Sequence, residues 1–357
     1  MKRLMVKVFP VAAVAAGVAI ALVVRAERQD SVVRVTVKHE AVEHAEHAEH
    51  AEHQQEHAEH YQFECGDDNM ETRLAALNAL ITMDADKAMP ILIPVLQNRD
   101  ECSVELRRKA VFLVSQHETD ETVDLLFNAA KTDPDFEVRE QAVFWLGQVS
   151  GEEAVDALES ILTGTNDHEI QEKVIFALSQ HGSRRANGIL HDYAGDASGV
   201  EGVREQAIFW LGQEGSREDV EFLMDLFDDL ESSELKEKVI FSVSQASHSS
   251  GDAWLMSLAR NEDESSDIRK NALFWAGQEG NVDPAELKAL YENAQDFELR
   301  EHAIFVLSQF DGSEATTVLI DIAKSETNVD LRDKALFWLG ESNDPRAASF
   351  LADLINR

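Results

Sequence analysis

The sequence predicts an all-α protein, a right-handed α-solenoid of about nine helical hairpins. Three observations carry this. A ten-residue core recurs eight times, with Phe112, Phe144, Phe176, Phe209, Phe241, Phe274, Phe305 and Phe337 spaced 31 to 33 residues apart. Each period holds two apolar stripes at helical spacing: Val138, Ala142, Trp145, Leu146 and Val149, then Val155, Leu158 and Leu162. Only Val32–Val37 shows strand alternation of useful length. A single pair of roughly 12-residue helices cannot bury both stripes, whereas stacked pairs can.

Residues 1–26 come first in chain order. Lys2, Arg3 and Lys7 precede an apolar run from Val8 to Val24, and Arg25 and Arg28 follow it. A basic start before such a run is an export signal. It is either cleaved, with Val24-Arg25-Ala26 as a loose cleavage site, or retained as an anchor. Its helix would span roughly 26 Å, the short end for a bilayer. Basic residues tend to stay cytoplasmic. The remainder is therefore expected on the periplasmic side of an inner membrane, touching that membrane only through this segment.

Residues 27–70 read as a flexible His/Glu-rich linker. Between residues 39 and 70 there are ten acidic residues and no Lys or Arg, a composition that solvates rather than packs. Seven of the thirteen histidines lie between 39 and 60. On a transient helix, His44/His47 and His50/His53 are neighbours three apart, and His53/His57 are four apart. With His60, these residues are candidate ligands for Zn²⁺, Cu²⁺ or Ni²⁺ through neutral imidazole, or a pH sensor, since imidazoles titrate near pH ~6.5. The alternative is a repeat-expanded spacer. A three-residue repeat drifts around a 3.6-residue helix, so the seven cannot share one face. Cys65 and Cys102 flank the first repeat; in an oxidising compartment they form a disulfide, and otherwise they are two partly buried thiols.

Residues 71–357 form the repeat domain. Its first unit is degenerate, with Asn78 where phenylalanine recurs, as a capping repeat requires. Asp283-Pro284 and Asp344-Pro345 are helix starts, and Ser183 and Ser216 are N-caps. A two-unit superperiod overlies the repeat. The residue after Phe alternates as Leu113, Trp145, Ala177, Trp210, Ser242, Trp275, Val306, Trp338, while Ser and Gly alternate two positions later. Large and small side chains are expected to interdigitate in the core.

The run Val-Arg-x-x-Ala-Val-x-Trp-Leu-Gly-Gln at 138–148 resembles HEAT repeats, in particular the short HEAT-like repeats of phycobilisome lyases, here of an exported or membrane-anchored bacterial type. The resemblance implies the fold and leaves function open, because the group holds scaffolds, adaptors and a few enzymes. One such enzyme, deoxyhypusine hydroxylase, holds two irons with His-Glu pairs at the starts of first helices. The matching positions here carry Arg139-Glu140, Gln171-Glu172, Arg204-Glu205 and Arg300-Glu301. His117-Glu118 and His168-Glu169 sit at unlike phases. His181, His191, His248 and His302 read as scattered surface residues. With no other catalytic motif, the chain is expected to be a binding scaffold, neither an enzyme nor a cofactor carrier.

Phe144 points away from the centre of the apolar stripe, with Gln148 on its flank. The same holds for Phe209 with Gln213 and Phe305 with Gln309. These six are either a ligand-binding surface or lateral packing, with each Phe against the next unit and each Gln bonding along the stack. The end copies are the expected exceptions, since they lack a neighbour.

Net charge is −36 from 32 basic and 68 acidic residues. This argues against nucleic acid and anionic lipid as partners. Acidic loops such as Asp133-Pro-Asp135, Glu262-Asp-Glu264 and Asp296-Phe-Glu298 would line one edge of a solenoid. A basic protein partner is the sharper expectation there, and solubility of an elongated array is the plainer one.

Overall fold

The computed structural model describes residues 23–29, 32–38, 70–246, 249–278, 282–310 and 312–356. The chain divides into two units, Met1–Gly66 and Asp67–Arg357. In the first, β1 (Val23–Gln29) and β2 (Val32–Lys38) pair antiparallel, with Val24 opposite Val37 and Gln29 opposite Val32. The second strand covers the Val32–Val37 alternation seen in the sequence, where β-branched Val32, Val33, Val35, Thr36 and Val37 favour extended backbone. β1 also takes Val23 and Val24 from the end of the apolar run. The rest of that run and the histidine tract lie outside the described residues. No helix among the described residues is long and apolar enough to cross a membrane.

The second unit is an α-solenoid of nine helical hairpins among the described residues. In order they are α1 (Met70–Ala79) with α2 (Ala85–Gln97), α3 (Val104–His117) with α4 (Thr122–Thr132), and α5 (Phe136–Leu146) with α6 (Glu152–Gly164). Next come α7 (His168–His181) with α8 (Arg184–Gly195), α9 (Glu201–Glu214) with α10 (Arg217–Asp229), and α11 (Ser233–Gln245) with α12 (Ser249–Arg260). The last three pairs are α13 (Ser266–Gln278) with α14 (Pro284–Asn293), α15 (Phe297–Gln309) with α16 (Ser313–Ser325), and α17 (Val329–Glu341) with α18 (Pro345–Ile355). Each first helix packs on the first helices before and after it.

The expected helix starts are capped. Ser183 accepts the Ala186 N–H at 3.2 Å, Ser216 accepts Asp219 N–H at 3.1 Å, and Asp283 and Asp344 cap α14 and α18. Each cap satisfies an amide that the helix itself leaves unpaired.

The core differs from expectation at one position per unit. Val138, Ala142, Val143 and Leu146 are buried on α5, but Trp145 and Val149 are only partly so. The residue before seven of the eight repeat phenylalanines (Val111, Val143, Ile175, Ile208, Ile240, Leu273, Ile304) is fully enclosed in the core, and Leu336 before Phe337 is partly buried. The tryptophans pack against this core from its margin and do not fill its centre. The superperiod is explained by the glycines instead. A Cβ added at Gly147 would lie 2.8 Å from the Ala177 carbonyl oxygen, and one at Gly212 would lie 2.7 Å from the Ser242 carbonyl oxygen. Gly277 meets the side chain of Val306 instead, with Cγ1 nearest. The glycine lets the next first helix approach, and the alternation places that approach at every second step.

A polar clamp runs along the helix starts. Arg107 and Asp133 form a two-pronged ion pair, Nε to Oδ2 at 2.9 Å and Nη2 to Oδ1 at 3.1 Å, with both side chains 1% exposed. Arg139 reaches Asp167 at 3.0 Å, Lys236 reaches Glu264 at 2.9 Å, and Arg300 pairs with Glu326. The acidic loops are thus largely committed within the fold. Asp135 caps α5, Asp296 caps α15 and accepts from Ser266, and Glu298 pairs with Lys270. This corrects the picture of a free acidic edge.

Candidate protein-binding surface

The first-helix layer carries one continuous chain of ring contacts. Phe112 meets Trp145 at 5.0 Å between centroids, Trp145 meets Phe144 edge-on at 5.0 Å, and Phe144 stacks on Phe176 at 6.4 Å. The pattern repeats through Trp210, Phe209 and Phe241, with Phe209 and Phe241 stacked at 6.2 Å, and continues to Trp275 and Phe274. The phenylalanines therefore show the lateral packing, each ring against the next unit. They pack laterally, yet Phe144 remains 38% exposed and Phe337 59% exposed.

The glutamines behave otherwise. In the Ser-type units, Gln116, Gln180, Gln245 and Gln309 donate to the adjacent serine of their own helix, and that serine donates to the Phe carbonyl. They do not bond along the stack, which corrects that expectation: the near serine hydroxyl is reached with less chain ordering. Gln148 and Gln213 are exposed.

The ladder changes character at α15. Phe274 and Phe305 are 31 residues apart, where the stacked pairs are 32 apart. His302 sits between them, 6.1 Å from Phe274 and 5.7 Å from Phe305. Contrary to the surface reading, His302 is half-buried, and its Nε2 has no hydrogen-bond partner. Burial, followed by the nearby Lys270 ammonium, holds its pKa below the ordinary histidine value, with Glu301 opposing. Beside it opens a cavity of about 1000 Å³ lined by Phe297, Phe305, Phe337 and Trp338, together with acidic and basic residues of α13, α15 and α17.

Lys270 bonds to Glu298 and Asp267, and these bonds raise its pKa. Lys334 reaches Glu301 at 2.6 Å. Asp330 and Asp333 have no ion-pair partner among the described residues. Of the candidate residues, only Phe305 lines this cavity. Phe144 and Phe209 are earlier in the ladder. The odd spacing, and a histidine where other units carry Lys, Gln or Asn, were the sequence signals for this place.

Three of the four glutamates that match the iron-binding positions are engaged, Glu140 by Lys173 at 2.5 Å, Glu205 by Lys238 at 3.4 Å and Glu301 by Lys334; Glu172 has no ion pair among the described residues, and burial raises its pKa. His191 is not a free surface residue either. Its Nε2 lies 2.7 Å from Asp219, and its ring stacks on Phe222 at 4.1 Å. His44, His47, His50, His53, His57, His60 and Cys65 lie outside the described residues. Cys102 is not a free thiol.

Stacked two-helix units joined by glycine contacts and an aromatic ladder define a helical-repeat solenoid. It contains HEAT repeats: the HEAT repeats family matches residues 94–179, and helical hairpins continue to residue 355. No curated protein matches the sequence significantly. Among solved structures, the phycocyanin lyase CpcE–CpcF complex from Nostoc sp. is 18% identical at TM-score 0.32, covering 68% of this chain and 93% of that one. Human deoxyhypusine hydroxylase is 16% identical at TM-score 0.31, covering 76% and 96%. Lipovitellin is 13% identical at TM-score 0.48, covering 76% and 34%. These likenesses concern the repeat fold alone.

Proposed function

We propose that the chain is a non-enzymatic binding scaffold that engages a protein partner on its first-helix face, at the cavity between α13, α15 and α17. The observation that carries this is the break in the aromatic ladder. Phe144 and Phe297 are exposed to a similar degree, but here Phe337, at 59%, and Phe297 stand together beside unpaired carboxylates. Exposed aromatic anchors next to charge are the usual make-up of interaction hot spots. The lysine pairing of Glu140, Glu205 and Glu301 supports a structural role for these residues. The basic-then-apolar N-terminus supports an exported location, on the periplasmic side of an inner membrane.

Photo-crosslinking in cells tests the reading. A benzophenone amino acid at Phe337 is expected to trap one discrete protein, and the same probe at exposed Asp225 on α10 none. Equal labelling from both positions, or none from either, overturns it. Protease accessibility of the repeat domain in spheroplasts tests the location.

A further inference from the structure

The joint between α13 and α15 departs from a pattern that the array keeps at two earlier steps. There, three contacts recur in register. Glu140 pairs with Lys173, Phe144 stacks on Phe176, and Gly147 receives Ala177. Glu205 pairs with Lys238, Phe209 stacks on Phe241, and Gly212 receives Ser242. Between α13 and α15 all three are altered. Lys270 stands at the glutamate position and His302 at the lysine position. The His302 ring lies 6.1 Å from Phe274 and 5.7 Å from Phe305, and Gly277 meets the larger Val306.

The exchange replaces an ion pair by two bases. Lys270 turns to Asp267 at 2.9 Å and to Glu298 at 2.5 Å. His302 is half-buried, and its buried Nε2 has no hydrogen-bond partner. The charges that act on the imidazole are Lys270, which opposes its protonation, and Glu301, which favours it. Glu301 is itself held by Lys334 at 2.6 Å. From α17, Asp330, Asp333 and Lys334 line the adjoining cavity. A neutral ring packs between the two phenylalanines as another aromatic would. An imidazolium brings a charge into that slot beside a lysine, with a buried N–H that no acceptor receives.

We propose that the α13–α15 joint is a pH-operated hinge in the array, closed while His302 is neutral and parted when His302 is protonated. A closed joint that disfavours the imidazolium binds its proton less readily than a parted one does. Closure is therefore complete above the ordinary histidine pKa of about 6.5 and is lost as pH falls through the lower folded value. The two regular joints carry lysine where this one carries histidine, so they stay closed over the same range. The hinge needs no partner and stands apart from the scaffold reading.

Electron–electron distance measurements on the full chain test this. Nitroxide amino acids replace the exposed Gln278 and Gln309, at the ends of α13 and α15, and in a second chain the exposed Gln213 and Gln245, at the same repeat positions on α9 and α11. From about pH 8 to about pH 5, the range in which histidine titrates, the 278–309 distance is expected to lengthen and broaden reversibly. The 213–245 distance is expected to stay as it was. His302→Gln is expected to abolish the change. His302→Lys, which fixes the charge, is expected to give the longer distance already at neutral pH. Adding Lys270→Glu to it restores the regular ion pair and is expected to return the short distance across the whole range.

An unchanged 278–309 distance, an equal change at 213–245, or a change that survives His302→Gln overturns the inference. So does a short distance in the His302→Lys chain at neutral pH, or a long one in the doubly substituted chain.

Discussion

Gly212 on α9 lies so close to Ser242 on α11 that a Cβ on the glycine would sit 2.5 Å from the serine Cβ and 2.7 Å from its carbonyl oxygen. The contact is backbone to backbone, so neither helix can yield by rotating a side chain. It fixes the spacing of the first-helix layer and, through it, the offset at which Phe209 and Phe241 stack.

Gly212→Ala is therefore expected to destabilise the protein by about 1–3 kcal/mol, as overpacking does. Gly188 provides the contrast. It lies inside α8 with nothing within 4 Å of an added Cβ. Gly188→Ala is expected to stabilise by about 0.5–1 kcal/mol through helix propensity. Chemical denaturation of both variants checks the opposite signs.

Asp133 and Asp135 are two residues apart and do different work. Asp133→Ala leaves the Arg107 guanidinium buried without its counter-charge and is expected to cost about 3–5 kcal/mol. Asp135→Ala removes only the cap on Val138 N–H and is expected to cost about 1 kcal/mol. Urea midpoints at constant slope measure the difference.

Acid is expected to weaken the solenoid in two stages. The Asp219 carboxylate is opposed by burial, but hydrogen bonds from His191, Ser216 and Asn187 hold its pKa below the ordinary value. The Ser266 hydroxyl does the same for Asp296. Their folded pKa values lie below the unfolded ones. The unfolded chain therefore binds more protons as pH falls past about 4, and their stabilisation is lost there. His302, also lowered, loses its share earlier, as pH falls past about 6.5. Melting temperature against pH is expected to show both limbs, with His302→Gln flattening the upper one.

Cys102 is expected to bond to Cys65, closing a loop of about 37 residues worth roughly 3–4 kcal/mol in the chain-entropy model. Alkylation without reductant is expected to add no mass to the intact chain, and alkylation after reduction to add two labels. Labelling before reduction would show free thiols instead.

The histidine tract is expected to be separable from the solenoid. Deleting residues 39–60 is expected to remove any Zn²⁺, Cu²⁺ or Ni²⁺ uptake seen by calorimetry and to leave melting of the repeat domain unchanged. Equal metal uptake in both chains would assign it elsewhere.

The sequence by itself determined the nine hairpins, their caps at Ser183, Ser216, Asp283 and Asp344, and the two-unit superperiod. These are matters of periodicity, backbone capping and composition, read along the chain without reference to how the helices pack. Tertiary structure alone decided what the superperiod does. Trp145 sits at the core's margin, Val143 at its centre, and Gly147 becomes a contact, because each depends on how closely a helix about 30 residues away approaches. It also decided that Asp133 is buried and Asp333 is not, although both are acids near first helices. Stacking supplies a counter-charge to one and none to the other. The candidate site is tertiary too: Phe144 and Phe337 occupy the same repeat position, yet Phe144 stacks on Phe176 and is 38% exposed while Phe337 meets Trp338 and is 59% exposed.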